Sequence, residues 1–339
     1  MDEWKLIKEL RQKTGKNPRG PIGIGDDAAL VTCPAGKCLV STDMLMEGID
    51  FLIGDDDCQR ELQPSSAPNQ APRVGAWWIG RKAAAVNLSD MAAMAARPVA
   101  IFASLALPRE RSGRFAEELM AGIRDMAAEE GAFLAGGDTN SWNGPCVVSL
   151  TILGDPTHHG PVLRTGASAG DWLFVTGALG GSLRERQFRF APRCADAIRL
   201  HEVVPLRAML DLSDGLAGDV RHLFSASGTG PRGAMLRSEQ IPIHNDVPTN
   251  LSAEEQLRHA LTDGEDFELL FAVSPADGKR LLTTSPCEAS LTHIGELIDE
   301  PGLFLRDLGG APREIDWQGW THSVGNLVKN VQQETRNKK

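Results

Sequence analysis

The stretch AWWIGRKAAAVNLSDMAAMAA, Ala76 to Ala96, limits the possible folds of this chain more than any other. Alanine and methionine are strong helix formers, and past Lys82 the helix is apolar almost all round. A helix without a polar face must be covered on every side, so it belongs in a domain interior with layers packed around it. Asn87 and Asp90 are three residues apart and share one side of that helix. A carboxylate there needs a partner, because an unpaired charge is too costly to carry into a core. Asp90 is therefore a candidate metal ligand.

The covering layers read as apolar strands. AALVTC and KCLVSTD are joined by the compact turn PAGK, and GIDFLI follows as a third short run. PVAIFASLAL and CVVSLTILG read as core strands, and AFLAGGDTN runs an apolar strand into Gly136, Gly137 and Asp138. Between them the spacing of Phe115, Leu119, Ile123 and Met126 predicts a helix over about 110–129. Residues 2–12 have the spacing of a short amphipathic opener.

The second half starts again with the strand DWLFVTG and a helix near 194–203. In RAMLDLSDGLAGDVRHLF an apolar strand ends at Asp211, Ser213 and Asp214, and Ser213 is placed to cap the helix that carries Leu216, Val220 and Leu223. FELLFAV, LTHIGEL, GLFL and IDWQGW complete the chain. Strands and helices mix in both halves, which predicts an α/β or α+β fold. A chain of 339 residues exceeds one ordinary core, so two domains are expected, 1–156 and 157–339, with the boundary in DPTHHGP. Residues 54–75, acidic and then rich in Pro, Ser, Gln and Asn, predict a long mobile surface loop in which Asp55, Asp56 and Asp57 are solvated.

A net charge of −10 leaves no basic face for nucleic acid or an anionic membrane. No window reaches 18 uninterrupted apolar residues, so no membrane span is expected. Six scattered cysteines and an opening MDEWKLIKEL without a leader pattern predict a cytoplasmic protein. Cys33 and Cys38 have no second pair to make a zinc site and read as apolar fillers, while His158 and His159 read as a solvated loop. GxxxxGK[ST] is absent.

The informative residues are carboxylates. In GIGDDAALV, Asp26 and Asp27 stand side by side, which alone reads as a solvated turn. Asp27, Asp43, Asp90, Asp138, Asp211 and Asp214, however, all stand at strand ends or on the buried helix. Brought together they repel one another unless cations fill the site, and oxygen ligands without His or Cys point to Mg²⁺ shared with substrate phosphates. That is the logic of phosphoryl transfer. Gly25, Gly136, Gly137 and Gly215 would let main-chain amides approach phosphates. Asp27 is expected to ligate directly, and Asp26 to hydrogen-bond the glycine turn or a metal-bound water.

Taken in order, GIGDDAALV, STDMLMEGIDF, AAAVNLSDMAAM, LAGGDTN, LRTGASAGDWLFVTG, LDLSDGL, DGEDFELLF and the closing WQGW resemble the thiamine-monophosphate kinase family from about residue 20 to 322. That family belongs to the ATP-binding superfamily of aminoimidazole ribonucleotide synthetase, formylglycinamidine ribonucleotide synthetase, selenophosphate synthetase and HypE. The resemblance implies a PurM-like two-domain fold. Its N-terminal mixed sheet would form a shared barrel in a homodimer, with ATP in the adjacent cleft and a C-terminal α/β domain completing it. The implied reaction is Mg²⁺-dependent, in-line transfer of the ATP γ-phosphoryl onto thiamine monophosphate, the last step of thiamine diphosphate synthesis.

Carried over by position, Asp27, Ser41, Thr42, Asp43, Asp90, Asp138, Asp211 and Asp214 resemble the family's magnesium ligands. Gly137, Asp138, Arg164 and Ser213 resemble its nucleotide contacts, while Asp50, Glu265 and Trp320 stand on the substrate side. No catalytic group beyond these is implied. Three features depart from the pattern: Asp50 replaces a histidine, loop 54–75 is long, and the helical segment after the strand DWLFVTG is reduced to ALGGSLRERQFRFAPR, though Phe190, Pro192 and Arg193 keep its closing region. A carboxylate at 50 would repel a substrate phosphate unless it faces the thiazolium or a further Mg²⁺. The alternatives are a superfamily relative acting on another small molecule, and a nucleotide-binding protein without turnover. Selenophosphate synthetase and HypE are disfavoured, because their cysteines before the first glycine motif and at the C-terminus are lacking here.

Overall fold

The computed structural model describes residues 22, 26–33, 36–62, 72–111, 113–225 and 230–320. Helix α1 (Ala76–Ala93) is buried along nearly its whole length, as its composition requires. Beside it lies α2 (Gly113–Glu129), which turns Phe115, Leu119, Ile123 and Met126 into the core. The two helices touch backbone to backbone. A Cβ on Gly80 would overlap the Leu119 carbonyl oxygen, and one on Gly122 that of Trp77, so only glycine allows this approach.

Strands β1 (Ala29–Cys33) and β2 (Gly36–Met46) form a hairpin, and β3 (Leu52–Ile53) pairs in parallel with β4 (Arg73–Val74). With β5 (Ala96–Pro108), β6 (Phe133–Trp142) and β7 (Val147–Pro156), the hairpin makes a five-stranded sheet ordered β1-β2-β7-β5-β6. All its pairs are antiparallel except β5–β6. Alternation sets its faces: Val148, Leu150 and Ile152 are buried in the core that holds α1, while Val147, Ser149 and Thr151 between them stay partly exposed. Met44 and Phe102 also stand exposed.

The second sheet has seven strands, β8 (Trp172–Thr176), β9 (Ala208–Asp211), β10 (Gly233–Arg237), β11 (Leu269–Val273), β12 (Leu291–Ile298), β13 (Gly302–Arg306) and β14 (Arg313–Glu314). Their spatial order is β14-β13-β10-β12-β8-β11-β9. Helices α3 (Arg186–Arg189), α4 (Cys194–Val203), α5 (Leu216–Ser225), α6 (Ala253–Thr262) and α7 (Pro275–Thr284) complete this half. The start of α6 is fixed by a reciprocal cap between Ser252 and Glu255, and that of α7 by Ser274 ahead of Pro275. One hydrophobic cluster is confined to residues 167–315, but the other runs from Ala28 through Phe174, Phe188 and Phe271 to Leu281. The two halves therefore share a core around α1.

Several elements differ from expectation. Gly136, Gly137 and Asp138 do not end a strand; they lie in the middle of β6, where a Cβ on Gly137 would overlap the Ala103 carbonyl oxygen of β5. Of GIDFLI only Leu52–Ile53 is strand, because Gly48 to Asp50 turn the chain. Asp57 is not merely solvated; it pairs with Arg111 at 3.2 Å. The expected opener at 2–12 and residues 63–71 of the long loop lie outside the described residues. Among the described residues no helix is long and apolar enough to cross a membrane.

Candidate active site

Three carboxylates from distant parts of the chain converge. Asp27 just before β1, Asp90 on α1 and Asp211 at the end of β9 each offer an oxygen, all within 4.8 Å of one another. Serines hold two of them. Ser41 on β2 donates to Asp90 at 2.5 Å, also lying 2.9 Å from the Asp27 carbonyl, and Ser89 donates to Asp211 at 2.5 Å. Arg164 grips Asp27 with both arms, Nη2 at 2.5 Å and Nε at 3.0 Å, and its main-chain N–H donates to Asp26 at 2.8 Å.

The electrostatics of this group are those of a cation site. Burial, followed by the charges of Asp43, Asp211 and Asp27, pushes Asp90 well above the usual carboxylate range. Burial, then Asp27, pushes Asp211 up to about 7, although Ser89 and Arg164 oppose the rise. Burial works against the charge of Arg164 too, but Asp27 more than compensates and holds it above its ordinary range. One arginine does not balance three carboxylates. An all-oxygen donor set this compact fits a hard divalent cation such as Mg²⁺.

The other predicted residues are placed unevenly. Asp43 follows Ser41 by two positions on β2, so it shares that side of the strand, and its charge acts on Asp90. The Thr42 hydroxyl does not join them; it donates to the Leu150 carbonyl and receives Thr151. Asp138 and Gly137 lie on β6, three strands across from Asp43 through Leu150 and Ala103, or roughly 14 Å at ordinary strand spacing. The structure does not bring them to the three-carboxylate group. Asp214 and Ser213 follow Asp211 into the turn before α5.

Ser213 does not cap α5. Asp219 does that work, accepting the N–H groups of Asp214 at 3.0 Å and Gly215 at 3.1 Å. Buried beside Asp214 and Asp211, Asp219 is itself pushed well above the usual carboxylate range. Asn87 does not partner Asp90; its amide bonds the Ala83 carbonyl one helical turn back. Asp26 accepts the Arg164 N–H, and the glycine turn expected to bond it lies outside the described residues.

Of the residues expected on the substrate side, Asp50 accepts the Met46 N–H with its carboxylate at 2.7 Å and closes its own turn. The Asp50 carbonyl accepts Lys82 Nζ at 3.0 Å. Glu265 sits at φ +55°, with its N–H on the Ser213 carbonyl at 2.7 Å and its carboxylate 2.6 Å from Lys82. Trp320 is 61% exposed, so it is no core anchor, and its N–H bonds the Asp214 carbonyl at 2.9 Å. It borders a cleft of about 320 Å³ that also meets Asp214, Arg221, His222, Asp316 and Gln318. Burial and then Arg164 push His222 down to about 4, which leaves it a neutral ring near the cluster.

Sequence reasoning missed Ser89, Lys82, Asp219 and the pairing of Arg164 with Asp27. Ser89 carried a signal, since it adjoins Asp90 inside an apolar helix. Lys82 and the Arg164–Asp27 pair depend on long-range contacts that no local pattern announces, whereas Asp219 acts within its own turn on Asp214 and Gly215.

Residues 25–155 match the family described as AIR synthase related protein, N-terminal domain. A thiamine-monophosphate kinase of Rhodopirellula baltica is 36% identical over 336 residues, covering 96% of this chain and 99% of its own. That of Escherichia coli K12 is 32% identical, covering 89% and 91%. The solved structure of AaThiL complexed with AMPPCP and TMP superposes with a TM-score of 0.75 at 25% identity, covering 95% of this chain and 97% of that one. E. coli HypE, 18% identical with a TM-score of 0.64, shares the fold. The chain belongs to the thiamine-monophosphate kinase family.

Proposed function

We propose that this protein transfers the γ-phosphoryl group of ATP to the phosphate of thiamine monophosphate, yielding thiamine diphosphate and ADP. The observation that carries the reading is the convergence of Asp27, Asp90 and Asp211, with Asp214, three positions past Asp211, lining the cleft that Trp320 borders. Mg²⁺ held by these carboxylates would neutralise the nucleotide phosphates and the charge that spreads over the moving phosphoryl group.

The protein's own residues do the rest. Ser41 and Ser89 orient Asp90 and Asp211. Arg164, with its planar fork beside the cluster, is suited to a phosphate as well as to the carboxylate it now holds. In the reaction an oxygen of the acceptor phosphate bonds to the γ-phosphorus while the bond from that phosphorus to the β,γ-bridging oxygen breaks, and ADP leaves. A phosphate monoester with its second pKa near 6 is already largely dianionic at neutral pH, so no side chain has to remove a proton. This accounts for a site rich in cation ligands and without a general base. Trp320 offers an exposed aromatic face to the cationic heterocycle, and Glu265 offers it a carboxylate. Asp43, Asp214 and Asp138 complete the set proposed to meet metal and nucleotide, with Gly137 and Ser213 on the nucleotide; the main chain of Thr42, rather than its hydroxyl, remains able to take part.

The working unit in this reading is a homodimer in the cytoplasm. Support for the dimer comes from the first sheet, where Met44, Phe102, Phe133 and Trp142 are all exposed large apolar side chains on β2, β5 and β6. A division at about residue 156 into an N-terminal and a C-terminal domain is supported by the two sheets, although their core is continuous.

The test is direct. Purified protein with Mg²⁺, ATP and thiamine monophosphate is expected to form thiamine diphosphate and ADP in equal amounts, and chelation to stop it. Asp43→Asn and Asp214→Asn are expected to lose most of the rate. Release of ADP with no thiamine diphosphate, or near-normal turnover in both variants, would refute the proposal.

A further inference from the structure

We infer that Lys82 is the positioning residue of the acceptor side, holding Glu265 at a fixed distance from the metal-binding carboxylates; this rests on the phosphotransferase reading above. Lys82 lies on α1 with its side chain wholly buried. A lysine is rarely buried unless its charge is matched and its three N–H groups are satisfied. Its three partners are two hydrogen-bond acceptors, the Asp50 carbonyl at 3.0 Å and Gln187 Oε1 at 2.7 Å, and one matching charge, the Glu265 carboxylate in an ion pair at 2.6 Å. They come from three separate segments, namely the turn after β2, helix α3 and the loop before β11.

That loop needs such a hold. Gly264, Glu265 and Phe267 have φ of +73°, +55° and +50°, a left-handed region that is strained for Glu265 and Phe267 because they carry a Cβ. Its main chain is tied to the metal-bearing strand, since the N–H groups of Glu265 and Phe267 donate to the carbonyls of Ser213 and Leu212, directly after Asp211. Its side chain is tied to α1 through Lys82. The same helix fixes the other end of the site: Ser89, seven residues on from Lys82, holds Asp211, and Asp90 is next. Seven residues are nearly two helical turns, so Lys82 and Ser89 share one face about 10 Å apart. Helix α1 thus acts as a ruler. One end sets the phosphate-binding carboxylates, the other sets the carboxylate that meets the cationic part of the acceptor.

Position, not contact, is the role, because a wholly buried ammonium cannot reach a ligand in the cleft. The prediction is therefore selective. Lys82→Met is expected to raise KM for thiamine monophosphate about ten-fold or more while KM for ATP stays within about two-fold. Combined with Glu265→Gln, the double variant is expected to be little worse than Glu265→Gln alone, since Lys82 acts through Glu265. Equal changes in both KM values, or additive penalties in the double variant, would overturn the inference. If Lys82→Met does not fold, Gln187→Leu carries the test, as it removes one partner of the same ammonium at the edge of α3. A rise of about three-fold in KM for thiamine monophosphate alone is then expected, and an unchanged value overturns the inference. A wild-type protein that forms no thiamine diphosphate refutes the function itself, a result distinct from any of these.

Discussion

Asp211→Asn should make the metal-free protein more stable while removing its activity, and the gain should depend on pH. Asp211 is 7% exposed and close to Asp27 and Asp90. Its carboxyl is pushed from 3.8 to about 7, first by burial and then by Asp27. The folded state therefore binds a proton more tightly than the unfolded chain does. Between about pH 4 and pH 7 the native protein holds more protons, so its stability falls as pH rises, and above pH 7 the full penalty is present. Three pKa units correspond to at most about 4 kcal/mol at pH 8, and roughly one unit leaves about 1.5 kcal/mol at pH 5. Asparagine removes the charge and keeps an oxygen to accept from Ser89. Denaturant unfolding in EDTA at pH 5 and pH 8 measures both quantities. The variant should exceed the wild type by a few kcal/mol at pH 8 and by much less at pH 5. Saturating Mg²⁺ should reverse the order, because it stabilises the wild type by binding its folded state. A variant less stable than the wild type at pH 8 in EDTA, or an advantage that does not change with pH, would refute the reasoning.

Trp320→Ala should raise KM for thiamine monophosphate about ten-fold with little change in melting temperature, because the ring is largely exposed; steady-state kinetics and a thermal melt check both. Gly137→Val should destabilise the fold by several kcal/mol in denaturant titrations, since its Cβ would overlap the Ala103 carbonyl on the adjoining strand. Phe102→Glu, on the exposed face of the first sheet, should convert a dimer into monomers in sedimentation velocity without loss of secondary structure.

The parts of the molecule that were legible in the sequence are those set by local pattern. Helix α4 was expected near 194–203 and spans Cys194–Val203, because its apolar spacing stands between breakers. The buried course of α1 followed from its alanines, and the convergence of Asp27, Asp90 and Asp211 from the cost of stranding carboxylates beside apolar runs. Neighbours in sequence say less about where a single side chain turns. Helical spacing puts Asn87 and Asp90 on one side of α1, yet the Asn87 amide bonds the Ala83 carbonyl one turn back, and Asp90 takes Ser41 from another element. The resemblance sets Thr42 beside Ser41 and Asp43 among the magnesium ligands, while alternation along the strand sends its hydroxyl to the Leu150 carbonyl. Asp138 was placed at a strand end by its two glycines, whereas those glycines let β6 run close along β5.

The same distinction explains why the acceptor side was harder to read than the metal side. A cation site leaves a chemical trace in any sequence, since several carboxylates at strand ends have few other uses. A recognition site for a small organic cation is built from one carboxylate, one aromatic ring and their supports, residue types that every surface contains. Glu265 and Trp320 could be assigned by resemblance, but Lys82, wholly buried between Asp50, Gln187 and Glu265, looks in sequence like the last polar residue before an apolar helix. Only when the turn after β2, helix α3 and the loop carrying Glu265 all meet α1 does that lysine gain its partners. Asp50 belongs to the same arrangement. Its carboxylate closes the turn from Met46, and its carbonyl is held by Lys82, so the negative charge that stands where the family has a histidine is satisfied by main-chain N–H. A substitution that reads as a clash with the substrate phosphate is, in the folded chain, a turn closure beside the residue that sets the acceptor loop.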